Sequence, residues 1–141
     1  MTSRTKLPNH GECFVCGKQS GSGLNIAFFC DENRQISATA VLQKRHQGPP
    51  EHAHGGVLFA MLDEAMGASA WANGYQVLAA HLEIDFKKPV PLGEEISLNA
   101  AVVQKEGRKV FTEGKIVLKS GEVAALAKGL FVECKDFFQT L

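Results

Sequence analysis

The chain has 141 residues, 45% of them hydrophobic and 21% charged, with 15 Lys+Arg balanced by 15 Asp+Glu. That length suits a single domain with a sizeable core. Zero net charge argues against a nucleic acid or membrane partner recruited by bulk charge, and the apolar runs are too short to span a bilayer.

Residues 1–12 read as a loose lead-in with no apolar signal-peptide core, as in a cytoplasmic protein. Four cysteines in such a chain read as free thiols or metal ligands before disulfides. Cys13-Phe-Val-Cys16-Gly17 follows His10, and Cys30 lies further on, so four soft donors could hold zinc. A full zinc pattern usually has two ligand pairs, whereas here there is one pair and two singletons. The residues therefore assign no metal, and zinc stays the lesser alternative. Residues 24–30 and 35–42 are strand-like, and in the second Ile36, Ala38, Ala40 and Leu42 alternate with Gln35, Ser37 and Thr39. Residues 44–53 form a loop that Pro49 and Pro50 stiffen. Its histidines, His46 and His52, read as side chains at a pocket mouth.

Residues 57–72 predict a helix: no proline, many Ala, Leu and Met, and Gly74 placed for a left-handed cap. Only Asp63 and Glu64 break its apolar surface, which predicts burial on nearly every side. Such carboxylates form either a solvated stripe or ion pair, or a catalytic acid. Gly55 and Gly56 open the helix with N–H groups that lack an intrahelical acceptor. Asp63 follows Gly55 by eight residues, roughly 12 Å along the axis. Both cannot grip one carbonyl within one subunit, so joint action requires two chains. Four strands follow, at 77–86, 95–104, 109–119 and 123–134, separated by short Gly- and Pro-marked turns that favour antiparallel neighbours. The architecture is α+β, a sheet curled around one buried helix. The tail leaves Phe137 and Phe138 exposed unless it packs on a neighbour.

The segment from His46 to Gly67, with His54-Gly-Gly followed by Asp63 nine residues after the His, resembles the signature of hotdog-fold acyl-CoA thioesterases, the phenylacetate-degradation type above all. Cys13-Phe-Val-Cys-Gly, Gly23-Leu24, Phe86-Lys-Lys-Pro-Val-Pro-Leu-Gly93 and Gly107-Arg108 agree, so the likeness spans residues 13–134. It implies an antiparallel sheet wrapped around a long helix, with two sheets joined edge to edge in a homodimer, often doubled to a tetramer. It implies an acyl-CoA substrate, no cofactor, Asp63 as the catalytic carboxylate, and Gly55 of the opposite subunit as the carbonyl-polarising N–H. His54 and Gly56 line the same site. The sequence departs from the family at Ala79, where a Ser or Thr is common. His81, two residues on, is the candidate replacement, as an ordinary sheet residue is the alternative. An Asn or Gln often stands where Gly48 is, which makes neighbouring Gln47 the candidate. Lys87, Lys88, Arg108 and Lys109 are candidate partners for the CoA phosphates, and Phe59, Met66 and Trp71 for the acyl group. Glu64 reads as structural. The rival functions are a hotdog dehydratase or hydratase and a non-catalytic acyl-CoA-binding protein.

Overall fold

The computed structural model describes residues 3–18, 21 and 23–141. The chain runs β1 (Arg4–Lys6), β2 (Phe29–Asp31), β3 (Ile36–Val41), a 3-10 turn (Lys44–His46), α1 (Gly55–Ala72), β4 (Val77–Phe86), β5 (Glu95–Glu106), β6 (Lys109–Val117), β7 (Val123–Glu133) and α2 (Lys135–Gln139). The strands form one antiparallel sheet in the order β1-β2-β3-β5-β6-β7-β4, and β3 to β7 pack around α1. This is the α+β arrangement the sequence predicts.

The alternation of side chains sets the wrap. Ile96 and Leu98 of β5, Val110 and Ile116 of β6, and Ala125 and Phe131 of β7 are buried on the face that meets α1. Leu58, Met61, Leu62, Ala65, Met66 and Ser69 answer them from the helix, all essentially sealed. The fit is tight: a Cβ on Gly114 of β6 would stand 3.1 Å from Met66 and 3.3 Å from Leu62. Replacing that glycine would overpack the layer.

Four details differ from the sequence expectation. The lead-in is not wholly loose, because β1 pairs with β2. The first long strand shrinks to Phe29–Asp31, because Leu24 and Ile26 donate instead to Phe14 O and Val15 O of the cysteine loop. The helix, which starts at Gly55 as expected, is not buried all round. Gly56 and Phe59 are exposed and Asp63 is half-buried, so one stripe of α1 stays open. Finally, the tail forms α2, whose Phe138 meets Trp71 edge-on at 4.9 Å, while Phe137 remains 46% exposed.

β4 occupies one edge of the sheet. It is ten residues long, largely exposed and paired on one side only, with β7. A long unpaired edge is a template for another strand.

Candidate active site

The site begins at the N-terminus of α1. His54 is the N-cap, and its Nδ1 accepts from Gly56 N–H at 2.8 Å. An imidazole that accepts through Nδ1 carries its proton on Nε2, so His54 presents an Nε2–H donor. This corrects the expectation that both glycine amides are free: the Gly56 N–H is committed to His54. Gly55 N–H makes no hydrogen bond among the described residues. It therefore keeps the donor that the positive end of a helix offers to an anion.

The preceding loop fixes this end. His54 N–H donates to His46 O (2.8 Å), Ala53 N–H to Val90 O (2.9 Å), and Leu92 N–H to Glu51 O (3.0 Å). Gly48 lies so close that a Cβ would stand 2.7 Å from His54 Cα, which only glycine permits. Gln47 spends its Oε1 on Glu51 N–H at 3.0 Å, so that oxygen stabilises the loop. His46 is buried behind His54, its Nδ1 accepting from Gln43 N–H at 2.9 Å and its Nε2 unpartnered among the described residues. Burial, and then the Arg45 charge, holds its imidazole below the usual value. Phe86 rests on Gly55 at ordinary contact distance, with 3.8 Å from its ring to a Cβ placed there. The sequence reads His46 as a side chain at a pocket mouth, whereas the fold buries it, and Phe86 is not marked as part of this site, although both lie within the segments that carry the resemblance.

Asp63 lies two turns along the open stripe of α1. It is half-buried, and burial raises its carboxyl above the usual range, with the neighbouring Glu64 charge adding to the rise. Phe59, one turn earlier on the same face, is exposed beside it. The other two expected acyl contacts are elsewhere: Met66 is sealed under Gly114, and Trp71 seats Phe138 at the far end of the helix.

A bulge in β4 overturns the idea that His81 replaces the missing hydroxyl. The register slips between Ala79 and His81, so Ala79 pairs with Phe131 and His81 with Leu130. Cross-strand partners share a face. Phe131 points at α1, with its ring 3.5 Å from a Cβ placed on Gly67. Ala79 therefore shares the α1-facing side of the sheet with Phe131, exposed on its edge strand. His81 points the other way, exposed and 3.3 Å from Glu83 Oε1.

The basic residues do not converge either. Lys88 pairs with Glu122 at 2.7 Å, and Arg108 donates through Nε and Nη2 to Glu133 O at 3.2 and 3.1 Å. Lys87 sits beside Ala124 and Lys109 beside Val132. Eight residues of β7 separate those corners, roughly 26 Å. Within one protomer they cannot hold the same phosphates.

Glu64, on the flank next to Asp63, faces the N-terminal loop. Its carboxylate accepts from Cys13 Sγ (3.7 Å) and Cys16 Sγ (3.3 Å) and lies 3.4 Å from His10 Nδ1. Burial pushes the Cys16 thiol up to about 12 against the lowering effect of His10, and the Glu64 charge adds to the rise. A cavity of about 190 Å³ adjoins these groups, walled by Ile26, Phe28, Ala68 and Trp71. Cys30 is not among them: its Sγ donates to Asp31 O on β2.

The family description "Thioesterase superfamily" matches residues 51–125, just over half of the chain, including the capped helix start and Asp63. The chain belongs to the thioesterase superfamily. Among curated relatives of this superfamily chain, acyl-coenzyme A thioesterase THEM4 from Bos taurus is 30% identical over 129 residues, covering 89% of this chain and 52% of the relative. The chain spans about a third to a half of the length of the curated relatives it matches. Among solved structures, a thioesterase superfamily protein is 29% identical with a TM-score of 0.84, covering 87% of this chain and 61% of that one. The E. coli PaaI protein from the phenylacetic acid degradation operon is 22% identical with a TM-score of 0.73, covering 79% and 80%, a likeness of fold. No helix of the described residues is long and apolar enough to cross a membrane.

Proposed function

We propose that the chain is an acyl-CoA thioesterase whose active site is shared between two copies. One observation carries the reading. Gly55, with its free amide, and Asp63, with its half-buried carboxylate, lie on one unbroken helix, roughly 12 Å apart along the axis. They can serve one carbonyl only if each comes from a different protomer. The open stripe Gly56–Phe59–Asp63 and the bare β4 edge favour a homodimer with β4 beside its symmetry mate.

In this site Gly55 N–H polarises the thioester carbonyl and stabilises the oxyanion, with His54 Nε2–H as a neighbouring donor. The Asp63 carboxylate of the other copy supplies the attacking oxygen, by deprotonating water or by adding to the carbonyl itself. The tetrahedral adduct collapses with cleavage of the C–S bond, and the CoA thiolate takes up the proton; where Asp63 itself has added, water then cleaves the resulting anhydride, releasing the acid and restoring the carboxylate. Phe59 flanks the acyl group, and Lys87 and Lys109 remain as candidates for the CoA phosphates. The curated relatives named acyl-coenzyme A thioesterase support the substrate class.

Ala79 favours a second reading, an acyl-CoA-binding protein without turnover, since the α1-facing side of β4 has no hydroxyl there to orient water. Thiol release across a panel of acyl-CoAs decides between them. Free CoA from the wild-type chain but not from Asp63→Asn supports hydrolysis; acyl-CoA binding with no thiol released supports the second reading.

A further inference from the structure

The Cys13–Cys16 loop remains outside this chemistry, on the flank of α1 that carries Glu64. We infer that His10 Nδ1, Cys13 Sγ, Cys16 Sγ and the Glu64 carboxylate form a tetrahedral zinc site that ties the N-terminal loop to the central helix.

The geometry is the first argument. One donor atom from each of the four residues lies within 4.8 Å of every other. The closest pairs are His10–Cys16 at 3.3 Å, Cys16–Glu64 at 3.3 Å, His10–Glu64 at 3.4 Å and Cys13–Glu64 at 3.7 Å, the last through Oε1. Zinc binds sulfur at about 2.3 Å and nitrogen or oxygen at about 2.0–2.2 Å, so donors at tetrahedral corners stand about 3.3–3.8 Å apart. The three edges among His10 Nδ1, Cys16 Sγ and Glu64 Oε2 already have the lengths of a zinc tetrahedron, and Cys13 Sγ stands within 4.8 Å of each corner.

The donor set is the second argument. Two thiolates, one imidazole and one carboxylate suit zinc, and four protein donors leave no open position, as in a structural site. The sequence reading completed the quartet with Cys30, whereas the fold supplies Glu64 from α1 in its place.

The supporting shell is the third. Cys16 N–H points at Cys13 Sγ from 3.5 Å, a contact that stabilises a thiolate. Gly17 closes the turn so tightly that a Cβ would lie 2.3 Å from Gly11 O and 2.5 Å from Cys13 N. Val15 and Cys16 are buried, so the loop is seated in the core while His10 remains at the surface. Such a site would join a segment with few ladder bonds of its own to the helix that carries Asp63. The inference is independent of the activity proposed above.

The test is metal content. Tag-free chain of residues 1–141, purified without chelator from zinc-supplemented culture, should carry one zinc per chain by elemental analysis. Cobalt(II) titrated into chelator-stripped protein should give thiolate-to-cobalt charge-transfer absorption and the intense visible bands of a tetrahedral ion. Cys13→Ser and Glu64→Gln should lose both the zinc and the cobalt spectrum. His10→Asn changes an exposed residue and so guards against loss of folding in the others; it should weaken metal retention while the chain stays folded by circular dichroism. Only trace zinc in the wild-type chain with no cobalt spectrum would overturn the inference, as would undiminished zinc in folded Cys13→Ser and His10→Asn chains.

Discussion

Gly55→Pro isolates the proposed oxyanion donor with little cost to the helix that carries it. Gly55 is the first residue of α1, the position where a helix tolerates proline because its N–H has no intrahelical partner. His54 has φ −67° and ψ 135°, the extended conformation that a residue before proline prefers. Space is available, since a Cβ on Gly55 would meet Phe86 at 3.8 Å, an ordinary contact. The substitution thus replaces the amide hydrogen with the ring Cδ, closing the donor position while the helix keeps its start. Loss of a single oxyanion donor lowers kcat by about 10²–10³-fold, equivalent to about 2.7–4 kcal/mol. The assay is steady-state thiol release from the best acyl-CoA of the panel, with circular dichroism and size-exclusion chromatography reporting fold and assembly. Gly55→Ala, which keeps the N–H and makes the same contact, is the control and should stay within a few-fold of wild type. A folded, fully active Gly55→Pro chain would refute the assignment. Equal damage from Gly55→Ala would show that space, not the hydrogen, is what matters.

Asp63→Asn should lower turnover by about 10²–10⁴-fold, the range for loss of a positioned base. It should also raise the melting temperature at neutral pH. Burial and Glu64 raise the Asp63 carboxyl above its unfolded value, so the folded chain loses stability as pH climbs through that interval, and Asn removes the loss. The stabilisation should vanish below about pH 3.9, where both states are protonated; a gain persisting there in thermal melts would rule out this cause. His46 has the opposite dependence. Its imidazole is held below the usual value by burial, so its neutral form supports the fold above about pH 6.5 and the support fades as pH falls through the lowered value. His46→Asn, whose Oδ1 can accept from Gln43 N–H, should flatten the acid limb of the melting curve, and an unchanged limb would clear His46 of the role. Gly48→Ala would press a Cβ against His54 Cα, an overpacking cost of about 1–3 kcal/mol that melts would register, together with a fall in kcat as the N-cap shifts.

Periodicity made most of the fold legible. Alternation in β3 and the proline-free run of α1 reflect which side of each element is buried, which is a local signal. The cap at the helix start is not legible as one, because it is a histidine, outside the usual Ser, Thr, Asp and Asn, and its acceptor is a ring nitrogen. The same contact removed Gly56 from the list of free donors. Spacing alone puts His81 on the face of Ala79, but one inserted residue in β4 reverses every side-chain direction beyond it, and no residue type marks that bulge. Glu64 breaks an apolar helix in the sequence, but its partners His10, Cys13 and Cys16 lie about fifty residues away. Only the fold brings them together, which is why Cys30 looked the better fourth ligand. Arg108 and Lys88 looked like phosphate partners because sequence shows charge at turns but not the carbonyl or carboxylate each one already holds.

The central claim is that Asp63 and Gly55 of one active site belong to different protomers, and subunit mixing tests it most directly. Asp63→Asn and Gly55→Pro chains, each inactive alone, are co-expressed in equal amounts and purified together. Half of the dimers are then hybrids, each with one site free of both lesions, so thiol release should return to about a quarter of the wild-type rate. If both residues of a site come from one chain, every site in the mixture keeps a lesion, and activity would stay at the level of the separate variants.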